Sequence, residues 1–106
     1  MGNPLVGKTI AFKYETGAPP GTAIEIDFFS EQQKTSKSLD PANPWVGTDN
    51  YDMAVIAVNI YMASWMGDDG HVVTAVFNLN DMTINSTYSS PERVRFPMAG
   101  IITDVR

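Results

Sequence analysis

Residues 51–80 read YDMAVIAVNI YMASWMGDDG HVVTAVFNLN. Two apolar runs rich in Val, Ile, Tyr, Trp and Phe flank the turn Gly67-Asp68-Asp69-Gly70. That pattern predicts a β-hairpin with a further strand feeding into it. Length alone would allow a helix over residues 53–66. The run is Val- and Ile-rich and apolar on all sides, so two strands meeting at a bend near Asn59, or one long bent strand, fit it better.

The same alternation recurs on both sides. In residues 7–15, Ile10, Phe12 and Tyr14 share one face, while Thr9, Ala11, Lys13 and Glu15 share the other. Residues 16–21, TGAPPG, break the strand, because Pro19 and Pro20 cannot donate to a ladder. Residues 22–30 alternate again, with Ile24, Ile26 and Phe28 on one face, and complete an antiparallel pair with a wet outer side. Residues 31–40, EQQKTSKSLD, are polar and read as a hairpin turn plus a short exposed strand, with a single helical turn as the alternative. Residues 41–50 contain Pro41, Pro44 and Gly47 and read as a connection, anchored to the core by Trp45. Residues 71–80 form the return strand, and Asn80-Asp81 turns into a strand over residues 82–88 with Ile84, Ser86 and Tyr88 on one face. Residues 94–106 close the chain as a last strand interrupted by Pro97 and Gly100. This makes about eight short strands at roughly 8–12-residue spacing, with no capped, periodic helix. The expected fold is all-β, an antiparallel sandwich or barrel, with up-and-down connectivity because nearly every connection is of hairpin length. A barrel of that strand number has room inside for side chains or one small ligand.

Composition narrows the function classes. A chain of 106 residues has material for one core and one domain, over residues 1–106. The net charge is -5 and the basic residues are scattered, which argues against nucleic acid as a partner. There is no cysteine, so disulfides, thiolate metal sites and cysteine nucleophiles are excluded. No apolar stretch reaches the length of a membrane-spanning helix, and residues 1–8, MGNPLVGK, do not read as a signal peptide. A cytoplasmic location and no membrane partner are the corresponding expectations.

Catalytic motifs are sparse. His71 is the single histidine and stands beside Asp68 and Asp69, so a metal site there is conceivable. Turn aspartates bonding their own backbone, with an exposed His71 at the strand start, are the simpler reading, and no metal or cofactor is expected. A Ser64–His71 pair would need His71 buried beside Ser64, and a turn that pairs residue 66 with residue 71 does not make the two direct neighbours. Residues 17–21 lack the Lys-Ser/Thr of a phosphate loop and precede a strand.

Four marks recur together: Gly7-Lys8 at the opening, Phe12 with Tyr14 in the first strand, Tyr61 with Ser64-Trp65 in a central strand, and Asn78-Leu79 closing the next. With the stretches at residues 4–17 and 60–88, they resemble the molybdenum-cofactor biosynthesis protein F (MoaF) family. That family is similar to the phenolic acid decarboxylases, and both are lipocalin-like (calycin) barrels that tend to pair as dimers. The decarboxylase resemblance implies two strand-one tyrosines, an arginine before a loop tryptophan and a glutamate two residues after the central tryptophan. In this chain those positions hold Phe12 and Tyr14, then Pro44, then Gly67. Three of the four polar groups are absent, so the carboxylate clamp and general acid of such an enzyme are missing where the resemblance puts them. The expectation leans toward a small hydrophobic or aromatic ligand-binding protein. The enzymatic alternative is a lyase or isomerase acting on an aromatic acid with Tyr14, Asp68 or His71 as proton donors. A filled barrel serving as an interaction module is the third possibility.

Parity assigns the two faces. A four-residue turn over residues 67–70 pairs Trp65 with Val72, Ala63 with Thr74 and Tyr61 with Val76. The expected interior then includes Ile10, Phe12, Tyr14, Ile26, Phe28, Tyr61, Trp65, Val72, Thr74 and Val76, with Phe12, Tyr14, Phe28, Tyr61, Trp65 and Thr74 as ligand contacts. The opposite parity, Ile60, Met62, Val73, Ala75 and Phe77, forms an apolar outer patch and a candidate homodimer interface.

Overall fold

The computed structural model describes residues 3–18 and 22–106. The turn residues Pro19, Pro20 and Gly21 lie outside the described set. Eight strands follow in order: β1 (Thr9–Thr16), β2 (Ala23–Asp27), β3 (Gln33–Ser38), β4 (Val46–Ala57), β5 (Ile60–Met66), β6 (Val72–Asn78), β7 (Thr83–Ser89) and β8 (Arg95–Val105). Each pairs antiparallel with the next, and β8 returns to β1, giving a closed up-and-down barrel. Closure settles the choice between sandwich and barrel and leaves no unpaired sheet edge.

The apolar run splits where Asn59 adopts a left-handed conformation (φ 60), which a short polar side chain tolerates. The boundary at β4 differs from expectation. Residues 46–50 continue β4 and pair with β3, from Gln33↔Asn50 to Lys37↔Val46. Their polar sequence has weak strand preference; the ladder offered by β3 overrides it.

One turn decides the interior. Gly67 N donates to His71 O, Gly70 N donates to Gly67 O, and Gly70 sits at φ 86. This is a hairpin loop closed by a left-handed glycine bulge, one residue longer than the expected turn. The pairing is therefore Trp65↔Val73, Ala63↔Ala75 and Tyr61↔Phe77. A one-residue shift moves every side chain of a strand to the other face. Val73, Ala75 and Phe77, expected on the outer patch, are buried inside the barrel. Val72, Thr74 and Val76, expected inside, take the opposite parity, and Thr74 bonds Ser64 on the outside at 3.1 Å. Of the five proposed interface residues, Ile60 and Met62 keep their outward parity and are half-buried.

The core fills the end of the barrel at which β1 begins. Phe12, Phe28 and Phe77 are essentially inaccessible, and Leu5, Ile10, Ile26 and Ile84 pack around them. Phe77 contacts both Phe12 and Phe28 edge to face, with ring centroids 6.0 Å apart in each case. Phe28 meets Tyr51 in the same way at 5.1 Å. The segment before β1 covers this end: Leu5 is fully buried, and Asn3 Nδ2 donates to Tyr51 Oη. Tyr51 Oη in turn donates to Ser30 O at 2.8 Å, so the phenol is satisfied within the core. Because Phe77 joins the two halves of this cluster, Phe77→Ala should cost about 3–5 kcal/mol. The check is the shift in urea midpoint; a loss under about 1 kcal/mol would mean that Phe77 lies on the surface after all.

Candidate functional site: a cavity around a buried lysine

The opposite end of the barrel is not filled. A cavity of about 400 Å³ opens there, within the size range of small-molecule sites. Phe12, Trp65, Tyr88 and Met98 form much of its wall, and Trp45 and His71 stand at its mouth. A more open depression of about 620 Å³ adjoins it beside β4 and β5 and shares Asp49, Trp65 and Asp68.

Lys34 is the most unusual group in the wall. It is fully buried, at 0% exposure, on a strand whose composition suggested a solvent-exposed segment. Its Nζ donates to Asp49 Oδ2 at 3.0 Å and to Ser36 Oγ at 2.7 Å, and it lies 4.1 Å from the centroid of the Trp65 ring. An ammonium has three protons, so two are taken by oxygens and the third has no oxygen partner, with the indole face beside it. Register explains the placement: Lys34 and Asp49 are directly opposed on β3 and β4, and both share the inward parity. The sequence signal was present in residues 33–38, QKTSKS. In a closed barrel even a polar strand sends every second side chain inward, here Lys34, Ser36 and Ser38.

Two other inward polar groups meet over β8, from its neighbours β1 and β7. Tyr14 Oη and Ser86 Oγ share a buried hydrogen bond of 2.8 Å. Burial raises the Tyr14 phenol above its ordinary value, and the bond to Ser86 opposes that rise only in part. Tyr14 is therefore a neutral hydrogen-bonding group at physiological pH.

The expected site residues divide. Phe12, Tyr14 and Trp65 line the cavity, as does His71 at its rim beside exposed Asp68. Phe28 and Tyr61 lie in the filled core, away from the cavity wall. Thr74 points outward and cannot contact a guest inside. The His71 ring stacks on Tyr88 at 5.3 Å between centroids, and Tyr88 stacks on Phe96 at 5.0 Å. A side chain at position 67 would collide with the His71 ring, so Gly67 is the space in which the imidazole packs. Asp69 bonds both the backbone N and Nδ1 of His71. These bonds, the backbone one foremost, hold its carboxyl below the ordinary range. Among the described residues, no group of three or more metal-ligating side chains converges on one point.

Desolvation depresses the Lys34 ammonium below its ordinary value, and the hydrogen bond and charge of Asp49 oppose that fall. A lysine with a lowered folded value binds fewer protons folded than unfolded between the two values. Stability then rises with pH through that window and falls as pH drops through it. Asp49→Asn removes the balancing charge while keeping the shape. It should cost about 3–5 kcal/mol at neutral pH, because an unpaired buried charge remains. The loss should shrink as pH approaches the free lysine value of about 10.4. Urea melts at several pH values check this; a loss independent of pH would mean that Lys34 carries no buried charge.

With that geometry in view, comparison with known proteins places the chain. A solved structure described as a "putative beta-lactamase" from Burkholderia vietnamiensis superposes with a TM-score of 0.82 at 17% sequence identity, covering 100% of this chain and 97% of the other. At that identity the likeness is one of fold. Comparison with curated protein sequences returns no match. The MoaF-like family model matches residues 6–103, nearly the whole barrel. This chain belongs to the MoaF-like family.

Proposed function

We propose that the barrel binds a small, neutral, ring-containing molecule whose carbonyl or hydroxyl oxygen meets Lys34. The observation that carries this reading is the Lys34–Asp49 pair in the wall of an aromatic cavity. Phe12, Trp65 and Tyr88 suit a flat apolar body, and the remaining Lys34 proton suits an acceptor atom. Charge decides between a neutral guest and an aromatic acid. Lys34 is the sole Lys or Arg among the described lining residues, and Asp49 already neutralises it. Asp68 adds a second carboxylate at the rim. A guest carboxylate would compete with Asp49 for one ammonium and meet like charge, so the aromatic-acid alternative is disfavoured.

Binding of 2-acetylnaphthalene and of 2-naphthoate, followed by quenching of tryptophan fluorescence, tests this. The ketone should bind at least about tenfold tighter, and Lys34→Met should weaken it by about tenfold, the value of one charge-assisted hydrogen bond. Tighter binding of the carboxylate, or no binding of either, would overturn the reading.

A hydrolytic reading has one specific observation behind it. Ser36 Oγ lies 2.7 Å from Lys34 Nζ, the pairing of a serine nucleophile with a lysine base. The beta-lactamase description belongs to the Burkholderia protein. In this chain Lys34 Nζ donates to Ser36 Oγ, so the serine accepts from the lysine instead of giving it a proton, whereas binding uses the arrangement as it stands. The binding reading is therefore preferred. Turnover of a chromogenic β-lactam that disappears in Ser36→Ala would support hydrolysis; no turnover by the parent protein would sink it.

A further inference from the structure

We propose that Lys34 is a covalent site, condensing with the carbonyl carbon of an aryl aldehyde or ketone to form an imine inside the barrel. The proposal rests on the binding reading above and names the reactive class within it. Three observations carry it. Lys34 is wholly removed from bulk water and is one of the residues that line the cavity, so an imine formed there would be shielded. Asp49 stands at 3.0 Å, positioned to exchange protons with Nζ. The Trp65 ring beneath Nζ, with Phe12 and Tyr88 in the same wall, offers the aryl group a face to pack on. A lysine in an apolar pocket is the setting in which an amine becomes nucleophilic at neutral pH.

The step balances without an external reagent. Asp49 takes one proton from the Lys34 ammonium, and the freed lone pair forms a bond to the carbonyl carbon. The carbonyl oxygen gains a proton as the nitrogen loses one, giving a carbinolamine. Departure of that oxygen as water, with a proton returned by Asp49, leaves the carbon–nitrogen double bond. One aldehyde and one amine yield one imine and one water. No oxidation or reduction occurs.

The test uses 2-naphthaldehyde with sodium cyanoborohydride as trapping reductant, on the intact protein at neutral pH, read by peptide mass mapping. Lys34 competes with the side-chain amines of Lys8, Lys13 and Lys37 and with the α-amino group, all of known position. The expected result is an adduct concentrated on Lys34, with a mass gain equal to the aldehyde less one oxygen atom. Excess 2-naphthalenemethanol, which can bind but cannot condense, should suppress that adduct and spare any on the surface lysines. Lys34→Met should lose it. If the alcohol binds by tryptophan quenching but Lys34 is not modified, the covalent proposal is overturned and the binding reading stands. Modification spread evenly over the four lysines, or unaffected by the alcohol, also overturns the covalent site. If neither aldehyde nor alcohol binds, both ideas fall together.

Discussion

Closure of the sheet constrains everything else in this molecule. Once β8 pairs with β1, each strand residue has two places to go, the interior or the outer surface. No strand can slip by one residue without exchanging its two faces, and no edge can absorb an error of register. The glycine bulge at Gly70 therefore has reach well beyond its own loop. By adding one residue to the β5–β6 connection it turns Val73, Ala75 and Phe77 inward. Phe77 then bridges Phe12 and Phe28, and the aromatic cluster that fills one end of the barrel follows from that contact.

Filling one end leaves the other to chemistry. Near the core, large rings meet edge to face and leave no space. Toward the mouth the inward positions become Gly47, Asp49, Ser36 and Gly67, which are too small or too polar to close the lumen. The cavity is thus a consequence of side-chain volume along the barrel axis. It is also where burial makes polar groups unusual. Lys34 is held in place by Asp49, Ser36 and Trp65, and Tyr14 by Ser86. Both pairs are satisfied, so the polar interior costs no orphaned donor, and among the described residues no buried side-chain polar atom lacks a partner.

The candidate site was half legible. Phe12, Tyr14 and Trp65 could be placed because alternation within their own strands is strong and carries apolar partners at the same parity. Lys34 could not, because composition argued for a solvated strand, and the inward turn of a lysine depends on a carboxylate supplied by the next strand. Phe28 and Tyr61 had the right parity but the wrong depth, and depth along the barrel is a property of how strands are staggered. Thr74 had the wrong parity, for the reason already given at Gly70. His71 is the converse case. It is an ordinary strand-start residue in sequence, yet its ring occupies the space left by Gly67 and joins the stack of Tyr88 and Phe96.

By itself, the sequence determined the strand count, the antiparallel up-and-down order and the inward faces of β1, β2 and β5, because hydrophobic alternation and turn chemistry are local. The MoaF-like likeness was also written in local motifs. Only the tertiary structure decided the register of β6, the extension of β4 into a polar segment, and the burial of Lys34 against Asp49. Those depend on which residues come to lie opposite each other across a ladder. A one-residue change in a loop or a charge on a neighbouring strand alters them, and neither leaves a periodic trace in the strand it affects.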